Sequence, residues 1–262
     1  MAVDATGNAY VTDTENRTVR KITPNGVVTT LAGAASRPRQ SKQSSVFRFY
    51  KPAGIAVDAS GTVFVADAGL NVIYRVSPTG VVTALAGTPD TRGSTDGLGP
   101  AARFNRPGGV AVDGTGNVYV ADSYNRTIRK ITPAGLVTTL AGLGGDGNSP
   151  NLPFGGYDRS DTTGGEAGSA DGTGKEARFA WPTGIGLDKS GNLYIADLDN
   201  HTIRVLSPAG VVSTLAGVAG QLGKSDGAGK EARFRYPSAL AVDAAGAVYV
   251  ADRDNQAIRV IR

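Results

Sequence analysis

Cysteine is absent from the 262 residues. That removes disulfides, thiolate metal sites and cysteine nucleophiles, and it leaves the redox compartment open. Histidine occurs once, at His201, so a metal site or an acid–base pair built from several histidines has no material here. Ser-His and Cys-His nucleophilic arrangements lose their room for the same reason. No apolar run approaches the roughly 18 residues that cross a bilayer, and the N-terminus carries no charged-then-apolar signal segment. Acids and bases nearly balance, 23 against 27, for a net charge of +4. This permits an anionic partner without requiring one.

Glycine, in contrast, is abundant at 37 residues, and it punctuates a repeat. Aligned on the aspartate that closes an apolar run, the copies are Tyr10 to Asp13, Phe64 to Asp67, Tyr119 to Asp122, Tyr194 to Asp197 and Tyr249 to Asp252. The closing aspartates are separated by 54, 55, 75 and 55 residues. Ahead of each lies a shorter segment ending in Asp4, Asp58, Asp113, Asp188 or Asp243, then a glycine turn. Behind each comes an alternating segment such as Thr127 to Ile131, and in the first four copies Pro-x-Gly and a further run such as Val137 to Gly142. β-Branched and aromatic runs divided by Gly, Pro, Asn and Asp read as short strands and turns, four strands per copy. A fixed period with four strands per unit is the mark of an all-β β-propeller, each unit one antiparallel blade. Five blades are expected; an incomplete six-bladed propeller is the alternative.

The units resemble NHL repeats of the bacterial type, named for an Asn-His-Leu turn that stands here as Asn200-His201-Thr202. The sister triplets begin at Asn16, Asn125 and Asn255, while the second unit has Leu70 at that position. The resemblance covers nearly the whole chain and implies a single propeller domain over residues 1–262. Its repeats fall at about 1–33, 52–87, 107–142, 182–217 and 237–262, joined by long connectors. Met1 sits directly on Ala2 to Asp4, without the Pro-x-Gly-Ile that introduces the same strand elsewhere. The expectation is therefore a piece of a longer protein, or an engineered scaffold without its own ligand. The resemblance is compatible with a bacterial secreted or cell-envelope parent, although this chain shows no signal.

The repeated aspartates Asp13, Asp67, Asp122, Asp197 and Asp252, with Asn16, Asn125, Asn200 and Asn255, read as turn locks. An aspartate that ends a strand accepts hydrogen bonds from the amides of its own turn. Phe49, Phe104, Phe179 and Phe234 stand at one place in successive connectors, as in Ala102-Arg-Phe-Asn-Arg-Pro107, and are expected to plug the gaps between blades. The arginine beside each is expected to pair with the connector aspartate, Asp96, Asp171 or Asp226. Third-strand Arg20, Arg129, Arg204 and Arg259, with Tyr74 in the second unit, form a ring. Some animal proteins with this repeat bind RNA on a basic face, which makes nucleic acid a reading here. The favoured one is edge arginines that keep sheets from pairing, since no stacking aromatics visibly accompany them. His201 reads as a solvated turn residue.

Two connectors are irregular. Gly33 to Pro52 carries Arg37, Arg39, Lys42, Arg48 and Lys51 without an acid, and Leu143 to Ala170 is some twenty residues longer than its sisters and holds Phe154, Tyr157 and Asp158. Long loops on a rigid scaffold are where binding tends to sit. The expectation is a non-enzymatic module presenting these loops to a protein or carbohydrate partner, with no cofactor. The alternative is a lyase or lactonase-type enzyme holding Ca²⁺ or another divalent metal in the central channel. No ligand spacing for such a metal is recognisable among the carboxylates.

Overall fold

Runs such as Val118–Asp122 and Thr127–Ile131 pair because both alternate with period two and both are rich in residues that favour extended backbone. In the computed structural model, which describes residues 1–34, 47–145 and 165–262, each repeat forms one antiparallel sheet, and the five sheets are the blades of a five-bladed β-propeller. Blade 1 is Ala2–Val3, Ala9–Asp13, Thr18–Ile22 and Val28–Gly33, in that order across the sheet. Blade 2 is Pro52–Val57, Val63–Asp67, Val72–Val76 and Val82–Ala86. Blade 3 is Val110–Val112, Val118–Asp122, Thr127–Ile131 and Leu136–Ala141, and blade 4 is Pro182–Leu187, Leu193–Asp197, Thr202–Leu206 and Val211–Ala216. Blade 5 has three strands, Pro237–Val242, Val248–Asp252 and Ala257–Ile261.

Two blades carry more than the four strands expected of them. Connector residues Gly97–Leu98 and Gly172–Thr173 add a two-residue strand to the outer edges of blades 3 and 4. The outer strands end in glycine for a steric reason. Gly142 has φ +90, and a Cβ there would overlap the carbonyl oxygen of Arg126 and stand 3.0 Å from the Cα of Thr127.

Blades stack in one direction. Blade 3 offers Ala121, Ile128 and Ala141, which receive Ala177, Phe179 and Ile195 from the following unit. Blade 4 offers Ala196, Ile203 and Ala216 to Ala232, Phe234, Val248 and Val250 in the same way. Each connector phenylalanine is 0 or 1% exposed, at Phe49, Phe104, Phe179 and Phe234. Four buried clusters, one per junction of consecutive blades, make up the core among the described residues. Blades 1 and 5 share no such cluster, and Ile258 of blade 5 is 70% exposed whereas Ile203 is 0%.

The first turn of each blade is closed by its aspartate. Asp113 accepts from the Thr115 and Asn117 amides, each at 2.9 Å. It also accepts from the Thr115 hydroxyl at 2.8 Å, Asn117 Nδ2 at 2.8 Å and the Tyr119 hydroxyl at 3.0 Å. Burial opposes its ionisation, but these donors outweigh burial and hold Asp113 at about 2. A carboxylate held below its unfolded value stabilises the fold above that value and loses the contribution as pH falls through the folded one. Asp113→Ala is therefore expected to cost about 1–2 kcal/mol in a urea melt at pH 7, and this cost should shrink as pH drops from 4 towards 2. A cost that grew on acidification would contradict the turn-lock reading.

Candidate functional site

The second-strand aspartates do something the turn-lock reading omits: they grip the end of the incoming connector. Asp67 accepts the amides of Tyr50 at 2.7 Å and Lys51 at 2.8 Å. Asp197 accepts those of Ala180 at 3.0 Å and Trp181 at 2.9 Å. Asp122 and Asp252 each take one, from Asn105 at 2.8 Å and Arg235 at 2.7 Å. The turn asparagine completes the grip, since Asn125 Nδ2 donates to Asp122 at 2.7 Å and to the Gly93 carbonyl at 2.7 Å. The residue two after the connector phenylalanine stands beside this grip at one end of the propeller, its own amide held by the aspartate in two cases and by Asn71 Oδ1 or His201 Nδ1 in the other two. These residues are Lys51, Arg106, Trp181 and Tyr236.

A cavity of about 480 Å³ opens there, bordered by residues of blades 1 to 4 and their connectors. Its wall includes Arg17, Tyr50, Lys51, Arg106, Tyr124 and Trp181, with Glu15 as its sole acid among the described residues. The Arg106 guanidinium lies 4.4 Å from the centre of the Tyr124 ring and donates to the Tyr124 hydroxyl at 2.7 Å. The Tyr124 and Trp181 rings meet edge to face, with centroids 4.5 Å apart. Arg17 stands 5.0 Å from the centre of Tyr50. Tyr50 can lie there because its neighbour Gly69 has no Cβ; one would overlap the Tyr50 ring. Further round the same end, His201 meets Tyr236 at 4.6 Å and Arg253 lies 5.5 Å from that ring.

Arginines therefore do sit beside aromatics, but they are turn and connector residues rather than those of the third strand. Arg129, Arg204 and Arg259 are neither edge solubilisers nor an exposed basic ring, whereas the side chain of Arg20 is 34% exposed. Arg129 and Arg204 are 0% exposed. Arg129 donates to Asp122 at 2.9 Å, Asp96 at 2.6 Å and the carbonyls of Arg103 and Thr95, each at 3.1 Å. Its guanidinium covers Phe104 at 5.2 Å. Arg204 repeats the set with Asp197, Asp171, Arg178, Ala170 and Phe179, and Arg259 with Asp252, Asp226, Arg233, Ser225 and Phe234. The connector aspartate thus pairs with the third-strand arginine, and the arginines beside Phe104, Phe179 and Phe234 turn to nearby carbonyls, Arg178 also pairing with Glu166 at 2.9 Å. For Arg233 these are the carbonyls of Lys230, Glu231 and Ala232. Burial pushes Asp122 up to about 6 against the pull of Arg129, and Asp197 moves in the same direction. His201 is 6% exposed, against the expectation of a solvated turn residue.

Of the proposed binding loops, Lys51 lines the cavity and Arg48 lies partly buried beside Phe49. Arg37, Arg39 and Lys42, with Phe154, Tyr157 and Asp158, lie outside the described residues. Tyr50, Arg106, Tyr124 and Trp181 were missed. The signal available was the place of Arg106, Trp181 and Tyr236 just before the connector proline. Among the described residues no group of three or more His, Asp or Glu is gathered for a metal, and no helix is long and apolar enough to cross a membrane.

Residues 104–131, 179–206 and 234–261 match the family model of the NHL repeat. Over 261 residues the chain is 30% identical to protein SUPPRESSOR OF QUENCHING 1, chloroplastic, of Arabidopsis thaliana, and over 283 residues it is 28% identical to human NHL repeat-containing protein 2. Each match takes in 96% of this chain but only 23% and 37% of those proteins, so the chain spans well under half of either. Among solved structures it is similar to an auxiliary nutrient binding protein of Bacteroides thetaiotaomicron. The TM-score is 0.68 at 18% identity, over 97% of this chain and 56% of that one, a likeness of fold.

Proposed function

We propose, from the premise that this chain is an NHL-repeat β-propeller, that it is a binding module whose contact surface is the cationic and aromatic cavity at the propeller end. The ligand class it fits best is a carbohydrate bearing a carboxylate. Pockets for small ligands typically hold about 300–1,000 Å³ and pair aromatic walls with a few placed polar groups. The cavity of about 480 Å³ is of that kind. Trp181 and the exposed Tyr50 offer apolar ring surface for the carbon face of a sugar, with the buried Tyr124 packed behind Trp181, and Arg17, Lys51 and Arg106 outnumber Glu15 three to one. A guanidinium presents a fork of donors that matches a carboxylate. The observation that carries this reading is the contact of Arg106, Tyr124 and Trp181 in one wall. That a protein of the same fold is described as nutrient binding is compatible with a binding role.

Trp181 is the sole tryptophan of the chain, so intrinsic fluorescence reports on this wall. Titration with oligogalacturonate is expected to shift or quench its emission saturably, and the neutral oligosaccharide of equal length is expected to do so more weakly. Arg106→Ala should weaken the acidic ligand about tenfold or more, the worth of a charge-assisted hydrogen bond of roughly 1.5–3 kcal/mol. Equal response to both sugars would remove the carboxylate from the proposal. Silence towards both, with a response to an acidic peptide, would move the partner to protein. A stoichiometric divalent metal in the purified chain, lost to chelator with a lowered Tm, would favour the channel enzyme.

A further inference from the structure

The cavity at the propeller end has a floor as well as a wall, and the two differ in hydrogen-bonding character. Two repeat positions build the floor: the residue after each second-strand aspartate, and the residue after the proline that opens each innermost strand. In blades 1 to 3 the first position holds Thr14, Ala68 and Ser123, and in blades 2 to 4 the second holds Ala53, Gly108 and Thr183. All six are small and all border the cavity, whereas Leu198 and Arg253, at the first position in blades 4 and 5, do not. Three of the six carry a hydroxyl. Thr14 donates to the Pro52 carbonyl at 2.8 Å, and Thr183 and Ser123 donate over longer contacts to the Ala196 and Ala121 carbonyls, at 3.3 and 3.4 Å. A carbonyl only accepts and a hydroxyl has one proton, so what these oxygens have left to offer is lone pairs. Thr14 and Thr183 are partly exposed. Gly108 leaves free the space beside the buried Ser123 hydroxyl, where a Cβ would stand 2.6 Å from the oxygen. The cations of the wall, Arg17, Lys51 and Arg106, are donors without acceptors.

We infer that the cavity is divided by polarity: its wall takes the ligand's acid, and its floor takes ligand hydroxyls as donors, with Thr14 and Thr183 as the accepting side chains. The class this selects is a polyhydroxy acid such as a uronic acid residue. Such a sugar carries an acceptor-only carboxylate on one edge of its ring and donor-capable hydroxyls, at O2 and O3, on the other. An anion without donors, such as sulfate or a phosphodiester, would meet the wall and leave the floor's lone pairs covered but unmatched, which costs affinity. This division presupposes an acidic carbohydrate in the cavity, as proposed above. It adds which edge of the sugar faces the propeller axis and which two residues tell a sugar acid from other anions.

Two esters of one oligosaccharide separate floor from wall. Oligogalacturonate acetylated at O2 and O3 keeps its charge and loses the donors, whereas its methyl ester keeps the donors and loses the charge. In titrations followed by Trp181 fluorescence, the acetylated form is expected to bind the unaltered chain about tenfold more weakly than the free acid. An acetyl group also adds bulk, so the side chains are tested directly. Thr14→Val combined with Thr183→Val keeps the branched shape and removes both hydroxyls. It should weaken the free acid and the methyl ester by the same factor, roughly fivefold or more, while Arg106→Ala should weaken the free acid alone. Thr14→Ser with Thr183→Ser, which keeps the hydroxyls, should bind as the original does, and an unchanged Tm of the valine pair excludes a folding defect. Equal affinity of the valine pair and the original chain for the free acid would overturn the division, even with Arg106→Ala still weakening the acid. So would equal binding of the acetylated and free forms to the unaltered chain. If neither the free acid nor its methyl ester bound the original chain, the carbohydrate reading itself would fall, and the floor's role with it.

Discussion

Arg129→Met is expected to destabilise the protein by about 3–5 kcal/mol, the usual consequence of removing one member of a buried ion pair. The methionine preserves much of the stem and its packing on Phe104, so the loss falls on the polar partners. Asp122, fully buried, would keep the Asn105 amide and Asn125 Nδ2 but lose its cation, and the Thr95 and Arg103 carbonyls would lose their donor. Asp122 is already raised to about 6 by burial with the arginine in place; without it the carboxyl rises further. For a carboxyl raised above its unfolded value, stability is present at low pH and lost as pH climbs through the interval between the two values. The penalty of Arg129→Met should therefore be smaller at pH 4 than at pH 8. Adding Asp122→Asn should return part of it at pH 8, a coupling that a double-mutant cycle measures. Arg20→Met, at the exposed counterpart, should cost less than about 1 kcal/mol. Equal penalties at the two arginines in chemical denaturation would show that the buried network carries no special weight.

Gly109→Ala is the second substitution with a large expected effect, about 3 kcal/mol, at the upper end of what overpacking costs. The innermost strands crowd one another at the axis. A Cβ on Gly109 would overlap the Thr183 carbonyl oxygen and approach the Ile185 nitrogen to 3.0 Å; one on Gly184 would come within 2.6 Å of the Ala239 Cα. The obstacles are backbone, so relief requires strands to part rather than a side chain to rotate. Gly108 and Thr183, beside this contact, line the end cavity, so a variant that stays folded should also change its response to oligogalacturonate. Gly114→Ala makes the comparison clean. Nothing lies within 4 Å of a Cβ at that position, and the change there should stay within about 0.5 kcal/mol of the original. If both alanines were equally tolerated, the inner strands would have more slack than their spacing indicates.

The blades were legible because strand alternation, turn glycines and the recurring aspartate all report local backbone geometry, which a single repeat already fixes. The phenylalanine plugs were legible too, since a large apolar residue at a constant register in a polar connector has few other uses. The third-strand arginines were misread because arginine on a short strand usually faces water. Two signs pointed inward. Arg129 shares its face with Thr127 and Ile131 by the two-residue alternation, while Lys130 takes the opposite one. The interval from connector aspartate to arginine is also 33 residues in three units, Asp96 to Arg129, Asp171 to Arg204 and Asp226 to Arg259, despite the long insertion before Asp171. The end cavity was hidden for another reason. Its wall draws on three separate connectors and three turns, and only the ring brings Arg17, Arg106, Tyr124 and Trp181 together.

The aspartate grip on the connector ends holds main chain, not side chain. Asp67 and Asp197 bind the amides of Lys51 and Trp181 and make no demand on what those residues carry. Lysine and tryptophan already occupy these two places, whereas Arg106 and Tyr236, with φ +47 and +53, give their amides to Asn71 and His201. Recognition is in that sense a set of interchangeable letters on a fixed type bed. Rewriting positions 51 and 181 together should retarget the surface with little effect on folding, which makes this propeller a substrate for selecting new specificities from a two-position library.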